Sequence, residues 1–332
     1  MANYDFLKTL NPILVQVELT EACNLKCKFC YNSQKPKIGK NVFEILDTLA
    51  QQGVMQVNLT GGEPTSHPQF FEILDKACSL FANVVILSNG ALMTEPVLER
   101  IHKYNVTSVN ISIHGDKVTH DSLTQVEGSY DASMNAIKYF LEKDKILVAS
   151  NFVLNSGNMD QLVNTIDDFE KIDLKYMTIT RFIPVGVGET AKYLRLGNEQ
   201  LVEAFRVVHE RNSSGKKPHI EFAEATPFCS LPKELEYLAN SCSYGFDRFY
   251  VDVDGNLLVC GLSRIPVGGN VLRQSFNAIK STSDVFQAFL VNDHIPDYCR
   301  QCAVGEQCHG GCRAAALESG HWKGTKDHHM VF

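Results

Sequence analysis

No stretch of this 332-residue chain approaches the run of about 20 apolar residues that a membrane span needs. The first eleven residues lack the basic start and apolar block of a secretory signal, so the expected address is the cytoplasm, without membrane association. Excess positive charge is missing too. The 31 Lys and Arg stand against 38 Asp and Glu, a net charge of −7, whereas a nucleic-acid binder usually shows a basic footprint. There is no internal repeat and no low-complexity tract. What remains is a globular chain, 44% hydrophobic, long enough for one large α/β domain and a smaller one.

Against these absences stand eleven cysteines. In a reducing compartment disulfides are rare, and clustered cysteines usually bind metal or do redox chemistry. They fall into three groups: Cys23, Cys27 and Cys30; then Cys229, Cys242 and Cys260; then Cys299, Cys302, Cys308 and Cys312. Cys78 stands alone in an apolar helical run, 70–81, and reads as a core thiol.

The first 180 or so residues alternate β-rich runs with helical ones. Strands are expected at 13–18, 56–60, 83–88, 108–114, 146–154 and 176–182, and helices near 42–52, 68–81, 94–104, 130–142 and 160–171. Such alternation implies parallel βα units with right-handed crossovers. A doubly wound sheet and an incomplete barrel both satisfy it. The polar segments favour the barrel. The cysteine loop follows the first strand, Gly61-Gly62-Glu63 the second, Ser88-Asn89-Gly90 the third and His114-Gly115 the fourth. In a barrel those strand ends converge on one mouth, while a doubly wound sheet gathers its site near one switch point. The expected fold is therefore a partial (β/α)6 TIM-like barrel over 1–222, including a helix near 199–211 and a polar loop at 212–218. A small cysteine-rich domain with little core of its own is expected over 223–332.

The loop around Cys23, Cys27 and Cys30 has the spacing C-x3-C-x2-C. Three thiolates on one tight loop can hold three irons of a cubane and leave the fourth open, whereas Fe–S clusters normally take four Cys ligands. A tetrahedral zinc site would want a fourth protein ligand nearby, and none is evident in the loop. With Phe29 just before the last cysteine and Gly61-Gly62-Glu63-Pro64 after the second strand, the chain resembles the radical S-adenosylmethionine (SAM) superfamily.

That resemblance implies a [4Fe–4S] cluster on the three cysteines and reductive cleavage of SAM to a 5′-deoxyadenosyl radical. It places the SAM amino group on Gly61, Gly62 and Glu63. Ser88, Asn89 and Ser112 fall where the family contacts the SAM ribose or carboxylate, and Arg181 is a candidate partner for that carboxylate. The backbones of Phe29 and Tyr31 are candidates for the adenine. From residue type alone, Ser and Asn at these positions could equally cap helices or make turns. His67, His120, His219 and His309 read as surface or loop residues.

Downstream, Cys242, Gly255 and Cys260 spell C-x12-G-x4-C, and Cys299, Cys302, Cys308 and Cys312 spell C-x2-C-x5-C-x3-C. This resembles the SPASM domain, which binds auxiliary [4Fe–4S] clusters; two structural zinc ions could staple the same cysteines. By the resemblance, Cys242, Cys260 and Cys312 hold a first auxiliary cluster, with Cys229 as a candidate fourth ligand or a hydrogen donor. Cys299, Cys302 and Cys308 hold a second. The family pattern ends on one more cysteine, which this chain lacks, so Asp327, His328 or His329 is the expected substitute, unless that cluster keeps an open iron or is absent.

Enzymes of this barrel-and-SPASM type modify peptides or small molecules. The leading expectation is maturation of a ribosomal peptide or protein by cross-linking, epimerisation or oxidation. The alternative is a dehydrogenase or epimerase of a sugar, aminocyclitol or haem precursor. A non-catalytic electron carrier would leave Gly61-Gly62-Glu63 without a role. An electron donor such as flavodoxin or ferredoxin is implied, and a separate peptide-recognition protein would suit a chain with only a dozen residues before its first strand.

Overall fold

Residues 14–20 (LVQVELT) set the pattern for the barrel in the computed structural model, which describes residues 12–243 and 248–331. Val15, Val17 and Leu19 are fully buried on the face that meets the surrounding helices. Glu18 and Thr20, equally buried, face the other way. Alternation with a period of two puts successive side chains on opposite faces. The pattern recurs along the sheet: Val57 and Leu59 join the apolar core while Asn58 and Thr60 are buried polar residues of the opposite face. The result is a helix-packed outer layer and a polar lumen.

Strands β1 (Leu14–Thr20), β2 (Gln56–Gly61), β3 (Asn83–Ser88), β4 (Ser108–Ser112), β5 (Leu147–Leu154) and β6 (Tyr176–Arg181) pair in parallel in sequence order. Between them run α1 (Val42–Gln51), α2 (Phe70–Leu80), α3 (Glu95–His102), α4 (Lys117–Thr124), α5 (Ser129–Lys143) and α6 (Leu162–Lys171). From β1 to β6 the strand order never reverses, so these strands hold no topological switch point, as the barrel reading requires and a doubly wound sheet does not allow. After α7 (Asn198–Ser213), a short β7 (His219–Phe222) pairs in parallel with β6. Its four residues follow the polar loop directly, too short a run to signal a strand by itself.

The largest departure lies beyond residue 223. Three further strands, β8 (Arg248–Val251), β9 (Asn256–Leu258) and β10 (Pro266–Asn270), extend the same sheet to ten strands. β8 lies parallel to β1, with Leu14 opposite Arg248 and Val17 opposite Val251. Nor does this region lack a core. Helices α8 (Phe276–Thr282) and α9 (Asp284–Leu290) stack Phe276 and Phe286 on Phe249 at ring separations of 5.9 and 5.7 Å. All three rings are buried and continuous with the barrel's core. Each fully buried aromatic contributes roughly 1.5–3 kcal/mol. The many cysteines of the segment masked this apolar pattern. Among the described residues no helix is long and apolar enough to cross a membrane.

Candidate functional site

The cysteine loop leaves the C-terminal end of β1 and is tied down on two sides. Glu21 N donates to Lys37 O at 2.8 Å, and Ala22 N to the Thr20 hydroxyl at 3.0 Å. Across the mouth, Lys26 N and Lys28 N donate to the carbonyls of Thr124 and Leu123 at the end of α4, at 3.0 and 2.9 Å. The loop is thus fixed by backbone bonds while its thiols stay half-buried. Burial pushes the Cys23 thiol up to about 11 and raises Cys27 and Cys30; Glu63 and Cys30 add to the rise at Cys23, and Cys30 and Cys23 to that at Cys27. Two donors aim at the Cys23 sulfur: Leu25 N at 3.4 Å and Asn89 Nδ2 at 3.6 Å.

The turn after β2 presses against this loop. Gly62 N donates to Thr20 O at 2.6 Å and Glu63 N to Ala22 O at 2.9 Å. A Cβ on Gly62 would stand 2.1 Å from Ala22 O, and one on Gly61, whose φ is +140°, 2.2 Å from Thr20 O. Only glycine permits that approach. Glu63 is fully buried. Its Oε1 accepts from Thr65 N at 3.1 Å, from the Thr65 hydroxyl and from the Ser88 hydroxyl at 2.8 Å; its Oε2 accepts from Asn89 N at 2.8 Å. A carboxylate offers about four acceptor positions, so Oε2 keeps room for one more donor. Ser88 and Asn89 therefore meet Glu63 and, through Asn89 Nδ2 to Asn24 Oδ1 at 2.9 Å, the cysteine loop. Ser112 is half-buried at the end of β4, beside Asn151 in register.

Phe29 packs its ring into a small apolar group with Leu123, Phe182 and Leu194 and sets its edge on His114, 4.6 Å between centroids. Gly188 N donates to Cys30 O at 2.9 Å, so the segment after β6 closes on the loop's backbone. Tyr31 turns its phenol inward toward Thr60 and Tyr250, where burial pushes it up to about 12. Arg181 lies where no surface pair could be. It is buried, and its guanidinium makes a two-pronged pair with Asp327 and donates to Ala225 O at 3.0 Å. Asp327 also accepts from Cys312 N at 2.9 Å.

Two of the histidines read as surface or loop residues, His67 in a loop and His120 on α4, are buried. His67 holds Gly39 O and Gln69 N through its two ring nitrogens, at 3.1 Å each. His120 accepts from His114 N at 3.2 Å and stacks on the His114 ring. Burial lowers His120 to about 4, and His114 well below its ordinary value, so both are neutral. Their spacing on a loop and a short helix carries no periodic signal of burial. His219 is exposed. Cys78 packs half-buried against the core.

Two residues that sequence reasoning passed over border the lumen. Glu18 forms a two-pronged pair with Arg264, 3.1 Å on each side, and accepts from Asn32 Nδ2 at 3.1 Å. Glu224 follows β7, accepts from Arg181 N at 2.9 Å and is pushed up to about 7 by burial. A lone acid after a four-residue strand has no pattern to mark it.

The other cysteines form two groups. Cys312 shares an apolar packing group with Ile183 and Ala225, against which Cys242 also packs, and Cys260 lies within electrostatic reach of the Cys312 thiol. Cys229 does not join them. It packs with Cys299, Ile295 and Met330, and its thiol is within reach of Cys308 and Cys302. Cys229, the candidate fourth ligand or hydrogen donor beside Cys242, Cys260 and Cys312, packs instead next to Cys299.

Residues 17–169 match the family described as the radical SAM superfamily, and residues 242–303 match an iron–sulfur cluster-binding domain, SPASM. The chain belongs to the radical SAM superfamily. Among its relatives, the sporulation killing factor maturation protein SkfB of Bacillus subtilis is 30% identical over 83% of this chain, which spans 66% of that protein's length. The mycofactocin maturase MftC of Mycobacterium tuberculosis is 28% identical over 93% of this chain and 80% of its own length. The AdoMet-dependent heme synthase of Methanosarcina barkeri is 23% identical over 92% of each chain. The same fold occurs in Streptococcus suis SuiB bound to its precursor peptide SuiA, with a TM-score of 0.78 at 17% identity over 100% of this chain and 79% of that one.

As a radical SAM enzyme with a SPASM region, the protein has [4Fe–4S] clusters and SAM as its cofactors, and its donor sets suit them. Among the described residues no three His, Cys, Asp or Glu side chains converge on a single ion. Thiolates on the corners of a cubane stand further apart than those around one zinc. The buried Arg181 Nε has no hydrogen-bond partner, and the Cys312 thiol lies within its electrostatic reach. Arg313, buried between the two C-terminal groups, bonds only carbonyls, those of His294, Trp322, Thr325 and Gly310. Cys312, Asp327, Cys242 and Cys299 lie within its electrostatic reach. Buried cations need counter-charge, and anionic clusters on these thiols would provide it.

Proposed function

We propose that this radical SAM enzyme matures a ribosomally made peptide or protein by cross-linking, epimerisation or oxidation. One observation carries the reading: the Cys23, Cys27 and Cys30 loop and the Gly61–Glu63 turn are fused by backbone bonds at the mouth of a polar-lined barrel, with a second cysteine-rich region extending its sheet. The relatives SkfB, named a maturation protein, and MftC, named a maturase, support it, as does the fold shared with peptide-bound SuiB.

In this reading Cys23, Cys27 and Cys30 hold the cluster that meets SAM, and Gly61, Gly62 and Glu63 seat the SAM amino group. Glu63 Oε2 takes an ammonium proton at its spare position, a charge-assisted bond strengthened by burial. Ser88 and Asn89 act through Glu63 and the cysteine loop, fixing both, while Ser112 and the backbones of Phe29 and Tyr31 line the remaining SAM contacts. Arg181 is spent on Asp327, so it braces the C-terminal tail instead of binding the SAM carboxylate. The cofactors, when bound, supply a 5′-deoxyadenosyl radical that removes hydrogen from substrate. The polar lumen orients a peptide backbone, and the apolar packing of Phe29, Leu123 and Phe182 excludes water from the loop. Cys242, Cys260 and Cys312 hold one auxiliary cluster and Cys299, Cys302 and Cys308 another, each a route for an electron leaving the substrate. The barrel (1–222) and auxiliary region (223–332) work in the cytoplasm with a flavodoxin- or ferredoxin-type donor and a separate peptide-recognition protein.

The test is anaerobic incubation with SAM, a reductant and a precursor peptide encoded beside the gene. Formation of 5′-deoxyadenosine together with a changed peptide mass or residue chirality is expected. A second reading, a small-molecule radical dehydrogenase or epimerase, is favoured by the end-to-end similarity to the heme synthase. It predicts an unmodified peptide and turnover of a haem precursor or sugar in the same assay.

A further inference from the structure

The Cys299, Cys302 and Cys308 group offers three thiolates, and residues 313–332 add none. Of the three residues that sequence reasoning offered as substitutes, Asp327 and His329 are hydrogen-bonded elsewhere, and His328 lies toward Glu318 and Asp327. Asp327 pairs with Arg181 and accepts from Cys312 N, which places it at the other cysteine group. His329 Nδ1 bonds Asn198 Oδ1 at 2.6 Å, and His328 lies beside Glu318 at 3.6 Å.

Cys229 is differently placed. Its packing neighbours include Cys299, Ile295 and Met330. Cys308 and Cys302 lie within electrostatic reach of its sulfur, and Cys299 has Cys308, Cys229 and Cys302 as its thiol neighbours. The chain end also meets this residue: the Val331 backbone bonds the Cys229 sulfur, and the Tyr298 hydroxyl bonds Met330 Sδ at 3.3 Å. Backbone N–H donors on a ligand sulfur are a recurring feature of iron–sulfur sites. The segment 330–331 thus docks beside Cys229.

We infer that Cys229 closes the second auxiliary site, giving Cys229, Cys299, Cys302 and Cys308 as a complete four-thiolate set. The Cys242, Cys260 and Cys312 site then has three thiolates and is the auxiliary centre with an exchangeable fourth position, the one suited to bind substrate. The inference rests on the reading that both groups hold clusters.

Two backgrounds separate the cases, both lacking Cys23, Cys27 and Cys30 as alanines. One further replaces Cys242, Cys260 and Cys312 by alanine, the other Cys299, Cys302 and Cys308. Anaerobic reconstitution of each is followed by iron and sulfide counts and electron paramagnetic resonance. Adding Cys229→Ala should convert the first background's four-iron centre to a three-iron one or abolish it, and leave the second unchanged. The reverse pattern, or no effect on either, overturns the assignment of Cys229 while leaving the clusters standing. No cluster in either background overturns both readings. Should these variants fail to fold, controlled oxygen breakdown of the intact holoprotein and peptide mapping of the resulting disulfides decides the question. Cys229 joined to Cys299, Cys302 or Cys308 supports the assignment; joined to Cys242, Cys260 or Cys312, or left free, it refutes it.

Discussion

At the scale of single residues, two glycines and a buried histidine pair carry most of the local argument. The Gly62 Cα sits so close to the Ala22 carbonyl that any side chain must push the two loops apart. Misplacing reacting groups by about 1 Å costs on the order of 100-fold in rate, so Gly62→Ala should lower 5′-deoxyadenosine formation by about that factor while the fold survives. Single-turnover assays with matched circular dichroism check it. The His114 and His120 pair makes a pH prediction. His120 is lowered from its ordinary 6.5 to about 4 in the folded chain. As pH falls from about 6.5 to 4 the unfolded chain takes up a proton that the folded one refuses, so stability is lost across that window. Denaturant midpoints at pH 7 and 5 should fall further for the wild type than for His120→Asn, a difference of order 1–2 kcal/mol. Equal falls would remove His120 from the account.

At the scale of elements, the end of β6 and the C-terminal tail are locked by Arg181 and Asp327, both almost fully buried. Removing one partner of a buried pair leaves an uncompensated charge and costs about 3–5 kcal/mol. Asp327→Asn should therefore be destabilised by roughly that amount in urea, and Arg181→Met with Asp327→Leu by less. The elements also show what was readable. All six leading strands and five of the six helices between them follow from alternating runs whose strand ends carry Cys23, Gly61, Ser88 and His114, while the eight-residue α4 (Lys117–Thr124) gave no such signal. The short β7, and the strands β8 to β10 that complete the sheet, were not readable. Their runs are three to five residues long, and parallel pairing of β8 with β1 joins residues more than 200 positions apart. The partners of Arg181, Glu18 and Cys229 depend on that long-range closure, so no local pattern announces them. What the motif spacing did supply were the loop, the Gly-Gly-Glu turn and the two cysteine strings.

At the scale of the whole molecule, one continuous ten-stranded sheet joins the SAM-binding mouth to the auxiliary region. Shared aromatic packing makes the two parts one core, which suits a path for electrons between them. The proposed chemistry begins at the loop with Cys23, Cys27 and Cys30. Its most direct test is anaerobic iron and sulfide counting, with 5′-deoxyadenosine quantified under reductant, for the wild type and for a variant with all three residues changed to alanine. The account predicts loss of about four irons and of all 5′-deoxyadenosine, with the C-terminal centres retained. An unchanged iron count, or zinc at this loop with SAM left intact, would contradict it.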